Sequence, residues 1–140
     1  MIVRYNYNQQ VEPPAPFIYV TVIAPDPRAG EAQAARYARI PMQLDIGAAL
    51  TVIPQRLMVE LGLIKFSEVG VGGFRHAPGV EDSFLVRLQI HEWEIEAVEV
   101  ILGDDSYGLL GRDVLNRFLL TLDGPGLNFT LQLPTSPTPN

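Results

Sequence analysis

The amino-acid sequence predicts a mainly β domain with one or two short helices, and three observations support that class. First, the 140 residues include 12 Gly and 12 Pro, and this many turn-forming residues suits short strands better than long helices. Second, 47% of the residues are hydrophobic, which is enough for one domain with a substantial core. Third, short runs of β-branched and aromatic residues alternate with turn residues along the chain.

The first half of the chain is predicted to run from a Pro-rich lead-in into strands and one helix. Residues 1–16 are polar and Pro-rich, so we expect a loosely held lead-in ahead of the main domain. Pro41 interrupts the second strand and indicates an edge position or a bulge. Gly62 ends the helix. The predicted elements are a hairpin of strands over 17–23 and 35–45, a strand over 49–54 and a helix over 54–63.

The second half begins with a glycine-rich segment, residues 67–79, which predicts a mobile hairpin. The glycines are expected to allow positive φ and an opening motion over residues 69–75. A slip in the apolar alternation at Ala97 and Val98 predicts a β-bulge. The other predicted elements are strands over 83–90 and 93–102 joined near His91, a helix over 113–119, a closing hairpin over 121–133 that turns at Asp123, and a disordered tail over 134–140.

Composition and charge exclude several functions. The net charge is −6 and the ten Lys and Arg are scattered, so nucleic acid is not an expected partner. The absence of Cys excludes disulfides and thiolate metal sites, and His76 and His91 lie far apart with no supporting ligands. There is no signal-peptide pattern and no apolar run of the ~20 residues that span a bilayer. We therefore expect a soluble, cytoplasmic protein without a membrane partner.

One carboxylate, Asp45, stands at the end of a predicted strand in the stretch "PMQLDIGAALTVIP". We expect it to be buried, which raises the question of what it does there. This stretch resembles the Asp-Thr/Ser-Gly-Ala/Ser signature of the retropepsin-like aspartic protease family, with Asp-Ile-Gly-Ala at residues 45–48. The segment "GVGGF" at 70–74 resembles the family's flap tip, and "LLGRDVLNRF" at 109–118 resembles its late Gly-Arg-Asp/Asn segment and helix. The resemblance covers residues 17–133.

The resemblance implies a closed-barrel-like acid-protease protomer with a flap hairpin, and an aspartic endopeptidase. One Asp per chain implies a homodimer, in which two Asp45 carboxylates activate a water molecule against an extended peptide or protein substrate. No metal or cofactor is implied. The residues assigned by the resemblance are catalytic Asp45, the active-site loop Ile46, Gly47 and Ala48, the flap Gly70, Val71, Gly72, Gly73 and Phe74, and the structural support Gly111, Arg112 and Asp113.

Two positions depart from the family pattern. Ile46 stands where relatives have a Thr or Ser whose hydroxyl bonds across the dimer, so we expect a weaker dimer or a misaligned pair of carboxylates. Ala49 replaces an acidic residue, which leaves Arg112 without that partner. The alternative is therefore a catalytically impaired retropepsin-like module for dimerisation or peptide binding. Taken alone, Asp45 also suits a turn residue, the glycine-rich segment an ordinary loop, and Asp113 a helix N-cap.

Overall fold

A computed structural model describes residues 1–25, 36–73 and 76–134 and confirms the mainly β class. The described residues form ten strands and two short helices. In chain order these are β1 (Ile2–Asn6), β2 (Phe17–Ile23), β3 (Tyr37–Leu44), β4 (Val52–Pro54), α1 (Arg56–Glu60), β5 (Ser67–Gly73), β6 (His76–Ile90), β7 (Trp93–Gly103), β8 (Gly108–Leu110), α2 (Arg112–Leu115), β9 (Leu119–Asp123) and β10 (Asn128–Gln132).

Six of these strands close into a barrel, as the resemblance implied. The order around the sheet is β2, β3, β8, β4, β7 and β6, and β2 pairs back onto β6. β5 continues the sheet as an antiparallel hairpin with β6. The predicted hairpin of the first two strands is confirmed, since β2 and β3 pair along their length. Pro41 lies just outside the three residues of β3 that pair with β8, so its missing N–H leaves that ladder intact.

Alternation along the strands fills the barrel. In β2, Ile18, Val20 and Val22 point inward and are buried, whereas Tyr19 on the opposite face is 57% exposed. Burying a side chain of this size stabilises the fold by about 1.5–3 kcal/mol relative to leaving it in water. The fully buried core residues include Val20, Ile40, Met42, Ile53, Leu57, Leu88, Ile90, Leu110 and Phe129.

β8 determines where the functional loop lies. It is inserted between β3 and β4, parallel to β3 and bridged to β4 at the pair Val52 and Leu109. The loop that connects β3 to β4 must therefore pass around the end of β8, where α2 begins after the single residue Gly111. Gly108 allows this close insertion, because a Cβ there would lie 2.8 Å from the Val52 carbonyl oxygen.

The N-terminal residues differ from the expectation of a loosely held lead-in. β1 pairs with β10 over its whole length, and β10 pairs with β9, so the two ends of the described chain form a second, three-stranded sheet. Tyr5 stacks on buried Phe129 with the ring centroids 5.2 Å apart, and burial raises the pKa of the Tyr5 hydroxyl above its usual value. Tyr5 thus anchors β1 despite its polar neighbours.

The bulge and turns of the second half are confirmed. Leu88 pairs with Ile95 and Val86 with Val98, which leaves one extra residue on β7, and Ala97 takes φ +56° there. His91 turns between β6 and β7 with φ +54°. The closing hairpin turns directly after Asp123. The predicted disordered tail lies outside the described residues except for Pro134.

Both helices are shorter than predicted. α1 covers Arg56–Glu60 and ends ahead of Gly62, which takes φ +62°. α2 covers only Arg112–Leu115, because β9 already begins at Leu119. None of the helices in the described part of the chain has the length and apolar character needed to cross a membrane. The division of the chain at residues 17 and 133 stays a prediction.

Candidate active site

Asp45 follows β3 directly and begins a tight loop. Its backbone N–H donates to the Leu110 carbonyl at 2.9 Å, and its own carbonyl accepts the Ala48 N–H at 3.2 Å. Its carboxylate turns back over the loop, where Oδ1 accepts the Gly47 N–H at 2.9 Å. The second oxygen, Oδ2, has no hydrogen-bond partner among residues 1–25, 36–73 and 76–134. The carboxylate is thus held through one oxygen and has the other available.

The expected burial of Asp45 is only partly met, because the residue is half-buried in the single chain. Gly47 suits this geometry, since a Cβ at that position would lie 3.1 Å from the Asp45 Oδ1. Ile46 is 63% exposed, which places a large apolar side chain at the surface beside the carboxylate. The surface of the loop therefore combines one carboxylate with one apolar group.

The segment Leu110–Asp113 holds this loop through hydrogen bonds. The Arg112 N–H donates to the Ala48 carbonyl at 2.8 Å, and the Arg112 guanidinium Nη1 donates to the Ile46 carbonyl, also at 2.8 Å. We expected Arg112 to lack its family partner because Ala49 is not acidic, and the guanidinium binds a loop carbonyl instead. A charged donor gives a stronger hydrogen bond than a neutral one, so Arg112 fixes the backbone at Ile46.

Gly111 is packed against the backbone of the same loop. A Cβ at this position would lie 2.6 Å from the Leu50 carbonyl carbon and 3.0 Å from the Ala48 carbonyl oxygen. Such distances to backbone atoms cannot be relieved by a side-chain rotation. Only glycine lets the start of α2 approach the Asp45 loop this closely.

Asp113 is the second residue of α2, whereas the residue at the N-cap position is Gly111. Its carboxylate accepts from Thr51 twice, through Oδ1 from the Thr51 hydroxyl at 2.8 Å and through Oδ2 from the Thr51 N–H at 3.1 Å. Sequence reasoning missed Thr51. The signal was a threonine in the apolar run "ALTVIP", because a buried hydroxyl requires a partner.

The β5–β6 hairpin contains the remaining predicted residues. Gly70 pairs with Val80 and Val71 with Gly79, so this stretch is regular extended ladder. The expected positive φ is not found at Gly70 or Gly72. Gly70 is held extended by its pairing with Val80, whereas Gly72 lies where the register shifts between Val71 and Gly73. Phe74 lies outside the described residues, and an opening motion stays a prediction. No hydrogen bond in the described part of the chain joins this hairpin to the Asp45 loop.

The structure thus brings Asp45, Ile46, Gly47 and Ala48 together with Gly111, Arg112 and Asp113 in one hydrogen-bonded unit, at the end of a barrel strand inserted between two others. Their sequence separation is about the length of half the chain, so the fold rather than local sequence unites them.

The fold is retropepsin-like. The crystal structure of a retropepsin-like aspartic protease from Rickettsia conorii superposes with a TM-score of 0.62 at 16% sequence identity, over 94% of this chain and 89% of that chain. EIAV protease complexed with the inhibitor HBY-793 superposes with a TM-score of 0.54 at 20% identity, over 73% of this chain and 86% of that chain. Neither the protein-family models nor the curated proteins give a match to the sequence.

Proposed function

We propose that the protein is an aspartic endopeptidase that works as a homodimer, with one Asp45 from each chain. The observation that carries the proposal is the Asp45 loop, which fixes one carboxylate oxygen and leaves the other available, within a retropepsin-like fold. An aspartate whose carboxylate accepts the Gly47 N–H, on a loop held by further hydrogen bonds, is suited to proton transfer, because its geometry is set before the substrate arrives.

The proposed reaction needs two carboxylates. Two carboxylates about 3 Å apart share one proton, since both cannot ionise cheaply at that distance. The ionised member takes a proton from water, and the protonated member polarises the scissile carbonyl. The water oxygen then attacks the carbonyl carbon directly and gives a tetrahedral intermediate that is not bonded to the protein. Its C–N bond breaks as a carboxyl of the pair gives a proton to the leaving amine nitrogen, which releases the amine and the new carboxyl group. The chain's own residues supply every group in this scheme, so it requires neither metal nor cofactor.

The second carboxylate comes from a second copy of the chain. Asp113, the other acid in the hydrogen-bonded unit, already accepts hydrogen bonds from Thr51. Within the part of the chain that the structure describes, Asp45 forms no salt bridge and meets no other acid through a hydrogen bond. A twofold axis beside the loop would bring the partner copy's equivalent carboxylate to the same place.

The edge strand β9 supplies a surface on which two copies can meet. β9 is the outer strand of the three-stranded sheet and pairs only with β10 among the described residues. It follows α2 closely, so it is joined to the segment that supports the Asp45 loop. Leu119 and Leu122 on this strand are 55% and 47% exposed. An exposed apolar edge strand pairs readily with another strand. We assign this position to a second copy of the chain, because one chain supplies only one of the two carboxylates in the proposed site.

The substrate is proposed to be an extended peptide lying between the Asp45 loop and the β5–β6 hairpin. Hairpin residues Gly70–Gly73 present backbone groups with little side-chain bulk, and a Cβ at Gly70 would meet nothing within 4 Å. A peptide can then bind by main-chain hydrogen bonds, as a strand added to a sheet edge. In this proposal Gly70, Val71, Gly72, Gly73 and Phe74 act as the flap.

The exposed side chain of Ile46 favours a second candidate function, a peptide-binding or dimerisation module with impaired catalysis. Isoleucine has no hydroxyl to bond to a partner loop, so two Asp45 carboxylates would be aligned by other contacts alone. The same fold and the same dimer surface would then serve binding without turnover. Binding and cleavage therefore have to be measured on the same peptides.

The test replaces Asp45 with Asn, which keeps the shape and removes the charge. We expect wild-type protein to cleave members of a peptide library between pH 4 and 7, and Asp45→Asn to bind them with cleavage lost by a factor of 1000 or more, on the order of the effect of removing an essential acid–base group. Circular dichroism of both forms controls for folding. Equal turnover by Asp45→Asn excludes the mechanism, and peptide binding without turnover by the wild type supports the impaired module.

A further inference from the structure

Thr51 is the polar residue most completely enclosed beneath the Asp45 loop. It lies directly before β4 and has 0% exposure. Its hydroxyl donates to the Asp113 Oδ1 at 2.8 Å and accepts the Gly111 N–H at 3.2 Å, while its backbone N–H donates to the Asp113 Oδ2 at 3.1 Å. All three bonds go to one segment, the start of α2.

That same segment holds the Asp45 loop from its other side. Leu110 accepts the Asp45 N–H, and Arg112 donates its N–H to Ala48 and its guanidinium Nη1 to the Ile46 carbonyl. The two bonded loop carbonyls lie on either side of Gly47, whose N–H fixes the Asp45 Oδ1. A path of hydrogen bonds joined by short backbone segments therefore leads from the buried Thr51 hydroxyl to the carboxylate through Asp113 and Arg112.

We propose that Thr51 is a positioning residue for the Asp45 carboxylate. The inference rests on the proposed function. Thr51 touches neither substrate nor reacting atoms, and it acts by fixing the first turn of α2 through Asp113. Without the hydroxyl, Asp113 keeps only the Thr51 and Val114 N–H donors, and the Gly111 N–H loses its side-chain acceptor. α2 can then shift, and the Asp45 loop can shift with it because Arg112 connects the two.

The direct test is Thr51→Val, which keeps the β-branched shape and removes the hydroxyl. Thr51→Ser, which keeps the hydroxyl, is the rescue variant. The matched control is Thr21→Val, at a half-buried threonine of strand β2. We expect Thr51→Val to lower kcat by about 10- to 100-fold with KM changed less than about twofold, because misplacement of a reacting group lowers the rate more than the binding. Thr51→Ser should recover most of kcat, and Thr21→Val should behave as wild type.

A second readout does not depend on activity. Amide hydrogen exchange of Asp45 and Gly47 reports how firmly the loop is held, and we expect it to accelerate at least about tenfold in Thr51→Val, with core amides such as Val20 unchanged. If the wild type has no peptidase activity, the proposed function fails while the exchange result still decides the role of Thr51. Should Thr51→Val not fold, Asp113→Asn removes the charged acceptor and is measured in the same way.

Unchanged kcat and unchanged loop exchange in folded Thr51→Val would overturn the proposal. An equal acceleration of exchange throughout the core would also overturn it, since that result describes general destabilisation. Failure of Thr51→Ser to recover kcat would show that packing rather than the hydroxyl matters, with the same consequence.

Discussion

At the scale of single residues, Gly111 and Gly70 are glycines for different reasons. A Cβ at Gly111 would lie 2.6 Å from the Leu50 carbonyl carbon, in the contact that brings α2 to the Asp45 loop. A Cβ at Gly70 would meet nothing within 4 Å, and its backbone is an ordinary strand. The first glycine is required by packing, whereas the second is free of any steric requirement in the single chain.

This contrast predicts opposite effects of the same substitution. Gly111→Ala should lower the free energy of unfolding by about 1–3 kcal/mol, because the methyl group overpacks against backbone. Gly70→Ala should leave it unchanged or raise it by up to ~1 kcal/mol, because alanine restricts the unfolded chain at an unstrained position. Urea denaturation of the two variants and the wild type measures both. Equal destabilisation by the two substitutions would contradict the assigned packing.

Single residues also show which parts of the site the sequence predicts. Asp45, Gly47 and Ala48 stand together in the chain, as do Gly111 and Arg112, so each group can be identified from adjacent letters. Thr51 and Asp113 are 62 residues apart, and their bonds exist only because β8 is inserted between β3 and β4. The Arg112 bond to the Ile46 carbonyl was missed for another reason, because a backbone acceptor cannot be identified from the type of residue that carries it.

At the scale of elements, the three-stranded sheet of β1, β10 and β9 has two outer strands with different expected roles. β9 leads directly from α2 and carries the exposed Leu122, whereas β1 carries the exposed Ile2 at the opposite edge. If the second copy docks on β9, only that edge is sensitive to added charge. A lysine on an edge strand discourages pairing with another strand because its charge would be buried.

Leu122→Lys should therefore weaken association of the chains at least tenfold, and Ile2→Lys should leave it within about twofold of the wild type, since desolvating one charge costs at least ~1.4 kcal/mol. Sedimentation velocity over a concentration series gives the dissociation constants. Thermal unfolding of each variant controls for damage to the sheet. A larger effect from Ile2→Lys would place the second copy on the β1 edge.

Most elements were predictable because their patterns are local. The run of aromatic and β-branched residues in β2 indicated the observed strand, and the slip at Ala97 indicated the observed bulge. β1 was missed because its residues read as polar and Pro-rich, and its pairing partner β10 stands at the other end of the chain. Positive φ at Gly70 was expected from composition, but ladder pairing overrides the freedom that glycine has in a loop.

At the scale of the whole molecule, a closed six-stranded barrel holds one loop with one available carboxylate. The barrel gives that loop rigidity through β8 and α2, and the second sheet gives the chain an open edge. The proposed association of two copies rests on these two features, the held loop with its available carboxylate and the open edge of β9. Neither feature alone requires a second copy.

The most direct test of the proposed shared site is a subunit-mixing experiment. Wild-type chains are mixed with a growing excess of Asp45→Asn chains well above the dimer dissociation constant, and cleavage is measured per wild-type chain after exchange. With one carboxylate from each chain, mixed dimers are inactive, so activity per wild-type chain should fall to about half at an equal mixture and approach zero in excess. Constant activity per wild-type chain at every ratio would show that each chain works alone and would contradict the account.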